Sequence, residues 1–224
     1  FSYEEIGVVA RTLEPYRAVI FEVFRENGIP TDLVCGEPLL RYPVAKTALN
    51  LLTLRRRDFP ASTVEDLFSS PYYNRLALGV NPVFHWRLAL RHLGIHAGWL
   101  QWRGKLERRV FADLELFPRQ AREGDGGTVV PREDMKSLWD FISGLWAELG
   151  GETPGSWSAQ ALKCRGLVTK YLTLPGQAEP GEQLAFQAVL DSIDSLAAFD
   201  LLGKPCDWPA FLDSLEEKLS RAVL

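Results

Sequence analysis

Within residues 87–109, six cations (Arg87, Arg91, Arg103, Lys105, Arg108 and Arg109) stand against a single acid, Glu107. Trp86, Trp99 and Trp102 are interleaved with them. Cations along a helix can follow a phosphate backbone and indoles can stack on bases, so this segment is a candidate DNA-binding surface. The same pattern also fits a helix pair with its tryptophans in the core and its arginines on a solvated face. The tryptophans fit that second description better; the arginines fit both. Arg55, Arg56 and Arg57 form a shorter basic run, where cations would also suit a helix C-terminus.

Other constellations carry less chemistry. His85, His92 and His96 are seven and four residues apart, so one continuous helix would align them as a metal-binding face. Gly94 interrupts that helix, no Asp or Glu lies among them and HExxH is missing, so core or surface histidines are the better reading. Asp134-Met135-Lys136 and Glu216-Glu217-Lys218 match the (D/E)xK triplet of Mg²⁺-dependent nucleases. Both fall in expected helices, whereas that site places its carboxylates on adjacent strands. No GxxxxGK(S/T) or GxGxxG string is present, and Gly203-Lys204-Pro205 lacks the upstream glycine and runs into proline. The chain by itself is expected to hold no nucleotide cofactor or metal and to catalyse neither ATP hydrolysis nor DNA cleavage.

The scaffold for these residues is expected to be mainly helical. The 224 residues are 46% hydrophobic and 24% charged, a balance that suits a soluble globular chain able to bury a core. A net charge of -4 does not describe a wholly basic nucleic-acid binder, although local patches remain open. No apolar run approaches the ~20 residues of a membrane span. The polar, acidic opening Phe1-Ser2-Tyr3-Glu4-Glu5 is unlike a signal peptide and, lacking an initiator Met, reads as a fragment. Cys35, Cys164 and Cys206 are odd in number and lack CxxC spacing, which fits reduced thiols in a cytoplasmic protein.

Short β-branched runs predict strands near residues 6–10 and 31–35, side by side and parallel across a helix over 13–27. Thr12 is the expected N-cap of that helix, and Asn27-Gly28 its stop. Helices are then expected over residues 44–54, 62–68, 82–93, 94–106 and on to 114. After a glycine-rich loop near 121–130 they resume over 131–149, 156–174, 181–199 and 207–223.

This order of elements, with "VVARTLEPYRAVIFEVFRENGIPTDLVCGEPLLRYPVAKTALNLLTL" written through it, resembles the UvrD/Rep-type DNA helicases from their fourth motif onward. "LEPY", "GIP" and the later "DFP...V.DLF.SPYY" wording is closest to the B subunits of AddAB-type helicase–nucleases, which are related to RecC. The resemblance implies that residues 1–42 are a β-α-β piece of the second motor domain, and that 43–224 are the helical accessory domain often called 2B. It implies a parent protein using ATP and Mg²⁺, acting with a partner helicase–nuclease subunit on double-strand DNA ends in recombinational repair. In such a parent Arg11 would reach the nucleotide γ-phosphate as an arginine finger. Ala10 stands where many of these helicases have an aromatic residue for the adenine, and Leu13 where many have Asn. The fragment itself would contribute DNA or subunit contacts. A structural helical interaction domain is the alternative.

Overall fold

A computed structural model describes residues 7, 16–30, 37–79, 82–111, 130–150 and 154–224. The fold is mainly α, as the sequence predicts. The chain divides into two compact units, Phe1–Glu37 and Pro38–Ala222. In the first, helix α1 spans Arg17–Glu26 with Tyr16 at its N-cap. It ends as expected: the Asn27 side chain donates to the Val23 carbonyl at 2.7 Å, and Gly28 takes a positive φ of 66°. The two expected strands, Thr12, Arg11 and Cys35 lie outside the described residues, as does nearly all of the 121–130 loop.

The second unit is a helical body. A 3₁₀ turn, Leu39–Arg41, leads into α2, Pro43–Thr53. Then come α3 (Ala61–Ser69), α4 (Arg75–Leu78) and α5 (Val83–Leu93). The next run begins as α6 (Trp99–Gln101), widens into a π-helical turn (Trp102–Glu107) and closes as α7 (Arg108–Phe111). The last four helices are α8 (Arg132–Glu148), α9 (Trp157–Tyr171), α10 (Pro180–Ser195), which continues as 3₁₀ through Leu202, and α11 (Trp208–Arg221). No helix among the described residues is long and apolar enough to cross a membrane.

Helix α2 lies at the centre because it is apolar nearly all round: Val44, Ala45, Ala48, Leu49, Leu51 and Leu52 are all buried. It packs against α3, α9, α10 and α11. Pro43 at its first position costs no hydrogen bond there, and Glu182 of α10 accepts from the Val44 amide at 3.2 Å. Truncating Leu52, fully buried, to Ala would cost about 2–5 kcal/mol. A second group of contacts joins α8 to α5, α7 and the π turn. Its apolar lining includes Trp86, Trp102, Leu106, Val110, Met135 and Leu138, and it is continuous with the core around α2.

Caps explain the sharp helix starts. Ser156 Oγ accepts from the Ala159 amide at 3.1 Å, and Asp207 Oδ1 from the Ala210 amide at 2.8 Å. Asp200 reaches back to accept from the Trp157 and Ser158 amides. Hydrogen bonds from Ser158, foremost, hold the Asp200 carboxyl below its usual range. Helix α10 runs on beyond its expected end at 199 as a 3₁₀ segment to Leu202, because Gly203 (φ 64°) supplies the left-handed stop. The helix expected over 94–106 starts only at Trp99. Gly94 takes a left-handed conformation, and Gly98 donates to the Asp58 carbonyl at 2.6 Å, holding 94–98 as a turn.

Candidate nucleic-acid interface

The basic segment spans α5, α6, the π turn and α7, and the fold uses its cations in two different ways. Arg87 pairs with Glu65 at 2.8 Å and donates to Ser69 Oγ at 3.0 Å, tying α5 to α3. Lys105 donates to the Gly94 carbonyl at 2.5 Å, closing the C-terminus of α5. Arg103 pairs with Glu107 one turn along at 2.9 Å, with most of its side chain in solvent. Arg91, Arg108 and Arg109 have no ion pair or hydrogen bond from their side chains among the described residues; Arg91 and Arg108 are exposed and Arg109 is half-buried.

Trp86 and Trp102 belong to the core, and Trp99, partly buried, packs against it. Trp86 donates to the Asp134 carbonyl and to Ser137 Oγ, and packs against Phe68 and Phe141. Trp102 is fully buried and donates to the Phe59 carbonyl at 2.9 Å. Trp99 is stacked between Trp146 and Trp139. None of the three therefore offers a free face for a base: Trp86 and Trp102 lie in the core, and Trp99 is stacked on Trp139 and Trp146.

The run Arg55-Arg56-Arg57 is likewise committed to the fold. Arg55 lies over the Trp146 ring at 4.4 Å and donates to the Trp146 carbonyl at 2.9 Å. Lys163 reaches the Gly150 carbonyl just beyond the same helix end. Two cations thus meet the negative end of the α8 dipole. Burial, foremost, and the neighbouring Arg55 charge depress the Lys163 ammonium. Arg56 pairs with Asp213 and Glu216 of α11, and Arg57 donates to Asn50 Oδ1 at 3.3 Å.

The three histidines do not converge on one face. His85 Nδ1 meets Asp134 Oδ2 at 2.5 Å, and His96 falls beyond Gly94, outside α5. Among the described residues, no group of three or more His, Cys, Asp or Glu is placed to hold a metal ion. Both (D/E)xK triplets lie on helices: Met135 is fully buried in α8, while Glu216 and Glu217 of α11 pair with Arg56 and Arg221. Cys164 and Cys206 are buried, unpaired thiols, and burial pushes both up from the ordinary thiol range.

Two surface features escaped the sequence reading. Leu100 is 83% exposed although it stands between Trp99 and Trp102. Gly104 lies inside the π turn, and a Cβ there would meet nothing within 4 Å. The i, i+4, i+8 spacing of Trp102, Leu106 and Val110 was the available signal, since it assigns the buried face and leaves Leu100 off it. No family model, curated protein or solved structure matches this chain.

Proposed function

We propose that this chain is a non-catalytic contact module of an ATP-dependent DNA helicase–nuclease subunit that acts in DNA end processing, with its helical body touching the DNA phosphate backbone. The observation that supports this most is the division among the cations. Arg87, Lys105, Arg55 and Arg56 are held by carboxylates and helix-end carbonyls, while Arg91, Arg108 and Arg109 are left without such partners among the described residues. Arg91 and Arg108 hold their charge in solvent and Arg109 is half-buried beside Arg108 in sequence, which suits a surface that meets phosphates. The resemblance of the N-terminal region to UvrD/Rep-type helicases supplies the context: double-strand ends as substrate, a partner subunit, and ATP with Mg²⁺ used by the parent.

Binding through such contacts is weak, independent of sequence and steeply sensitive to salt. Each neutralised phosphate adds about -0.9 to the log–log salt slope on duplex DNA. Anisotropy titrations of a labelled duplex against salt should give a slope that flattens by up to about 2.7 when Arg91, Arg108 and Arg109 are replaced together by Ala. An unchanged slope with a folded variant contradicts the reading.

One observation favours the alternative, a structural protein-interaction domain. Phe199, Leu201 and Leu202 leave large apolar surface in solvent on the 3₁₀ segment, with Leu201 92% exposed. In that case Leu201→Ser should weaken association with a partner subunit and leave DNA affinity unchanged.

A further inference from the structure

An open cleft of about 470 Å³ lies between α2 and α3, within the range of about 300–1,000 Å³ that small-molecule sites occupy. Thr47 and Asn50 face it from α2, Thr63 and Asp66 from α3, and Ser70 and Tyr72 close one end. The fold leaves much of the hydrogen-bonding capacity of this lining unused. Thr47 Oγ1 donates to the Pro43 carbonyl at 2.9 Å and keeps its lone pairs. Asn50 accepts from Arg57 on Oδ1 and keeps both amide hydrogens. Ser70 is only 8% exposed, and its Oγ accepts from the Tyr72 amide at 3.1 Å while its own proton goes unused. The side chains of Thr63 and Asp66 make no hydrogen bond or ion pair among the described residues. No lysine or arginine lines the cleft.

We propose that this cleft binds a small, uncharged polyhydroxylated molecule of sugar size, its hydroxyls bridging Asp66 and Thr63 on one wall and Asn50 and Thr47 on the other. A ligand hydroxyl donates and accepts at once. Only such groups use the Asp66 carboxylate, the Asn50 amide hydrogens and the Ser70 proton together. An anion would meet Asp66 with no cation in the lining to offset it. An ammonium would leave the Asn50 and Ser70 donors without an acceptor. Between the polar groups, Pro43, Leu67 and Pro71 offer apolar surface that suits the C–H faces of a sugar ring. The walls are set before a ligand arrives. Proline fixes the backbone at 43 and 71, and the Tyr72 phenol is hydrogen-bonded to Glu182, which also accepts from the Val44 amide. Little ordering is therefore lost on binding. The cleft uses none of Arg91, Arg108 and Arg109, so this site and the DNA-contact reading stand or fall separately.

The test is a titration of the ¹⁵N-labelled chain with glucose, maltose and inositol as neutral probes, and with spermidine and inorganic phosphate as charged ones. At least one neutral probe should shift amide resonances of residues 43–50 and 63–72 saturably, at millimolar concentration. Asp66→Ala should weaken that binding about tenfold, the effect of losing hydrogen bonds to a charged group. Its melting temperature should stay at the wild-type value, because Asp66 is exposed and unpaired. Thr63→Val, which keeps the shape and removes the hydroxyl, should weaken it about threefold. Absence of saturable shifts with all three neutral probes overturns the proposal and shows a cleft that holds only water. Saturation by spermidine or phosphate at lower concentration than by any neutral probe overturns it as well. So does undiminished affinity in a folded Asp66→Ala variant. Each of these results leaves the salt dependence of DNA binding to be judged on its own.

Discussion

The indoles of Trp99 and Trp146 lie face to face, their centroids 4.3 Å apart and their planes 10° from parallel. Trp139 stacks on Trp99 at 5.5 Å, Phe59 meets both Trp99 and Trp146, and the Arg55 guanidinium lies over Trp146. This cluster joins the turn after α2, the start of α6 and the whole middle of α8. It also settles how the basic segment is presented, because it anchors α6 by its aromatic side and leaves the opposite side to solvent.

Trp99→Ala should therefore act on the whole body. Loss of a large ring from a packed aromatic cluster costs about 3 kcal/mol, and Trp99→Phe should cost less because an edge of the stack survives. Urea unfolding of the two variants checks this. A Trp99→Ala midpoint indistinguishable from wild type would show that the stack contributes nothing.

The helix pattern was legible because punctuation and periodicity agreed. Gly94 ends α5 with a left-handed φ, Ser156 and Asp207 cap α9 and α11, and the expected ranges for α8, α9 and α11 fall within a few residues of those observed. The fate of the charges was far less legible. Arg55 and Arg108 both look like members of short basic runs, yet Arg55 closes the end of a helix 91 residues further on. Such a partner is set by tertiary packing and leaves no local trace. The π turn was equally hidden, since Trp102-Arg103-Gly104-Lys105 reads as ordinary helix apart from its glycine.

The Arg55 arrangement makes Gly150 a sensitive position. A Cβ there would stand 2.0 Å from the Arg55 Nη1 and 3.0 Å from the Ala147 carbonyl oxygen. Gly150→Ala should force the guanidinium off the Trp146 carbonyl and cost about 1–3 kcal/mol. In an Arg55→Ala background much of that penalty should vanish, a coupling that a double-mutant cycle on denaturant midpoints measures. Additive effects would contradict the contact.

Tyr72 contributes to the alkaline limit of stability. Burial, foremost, and the charge and hydrogen bond of Glu182 push its phenol from about 10 up to about 12. The native state then holds a proton that the unfolded chain releases. This contribution to stability is complete below pH ~10 and is lost as pH rises toward ~12. Burial raises Tyr171 in the same direction, so the two add. Tyr72→Phe should flatten the fall in urea midpoint between about pH 9.5 and about pH 11.5. An identical pH profile in the variant would refute the assignment.

The most direct test of the central claim, that cations left over by the fold face DNA, is amide hydrogen exchange of the chain with and without saturating duplex. The account predicts slowed exchange in residues 99–111, with no change in the 3₁₀ segment Leu196–Leu202. Protection of Leu196–Leu202 alone, or no protection in 99–111 at saturation, would contradict it.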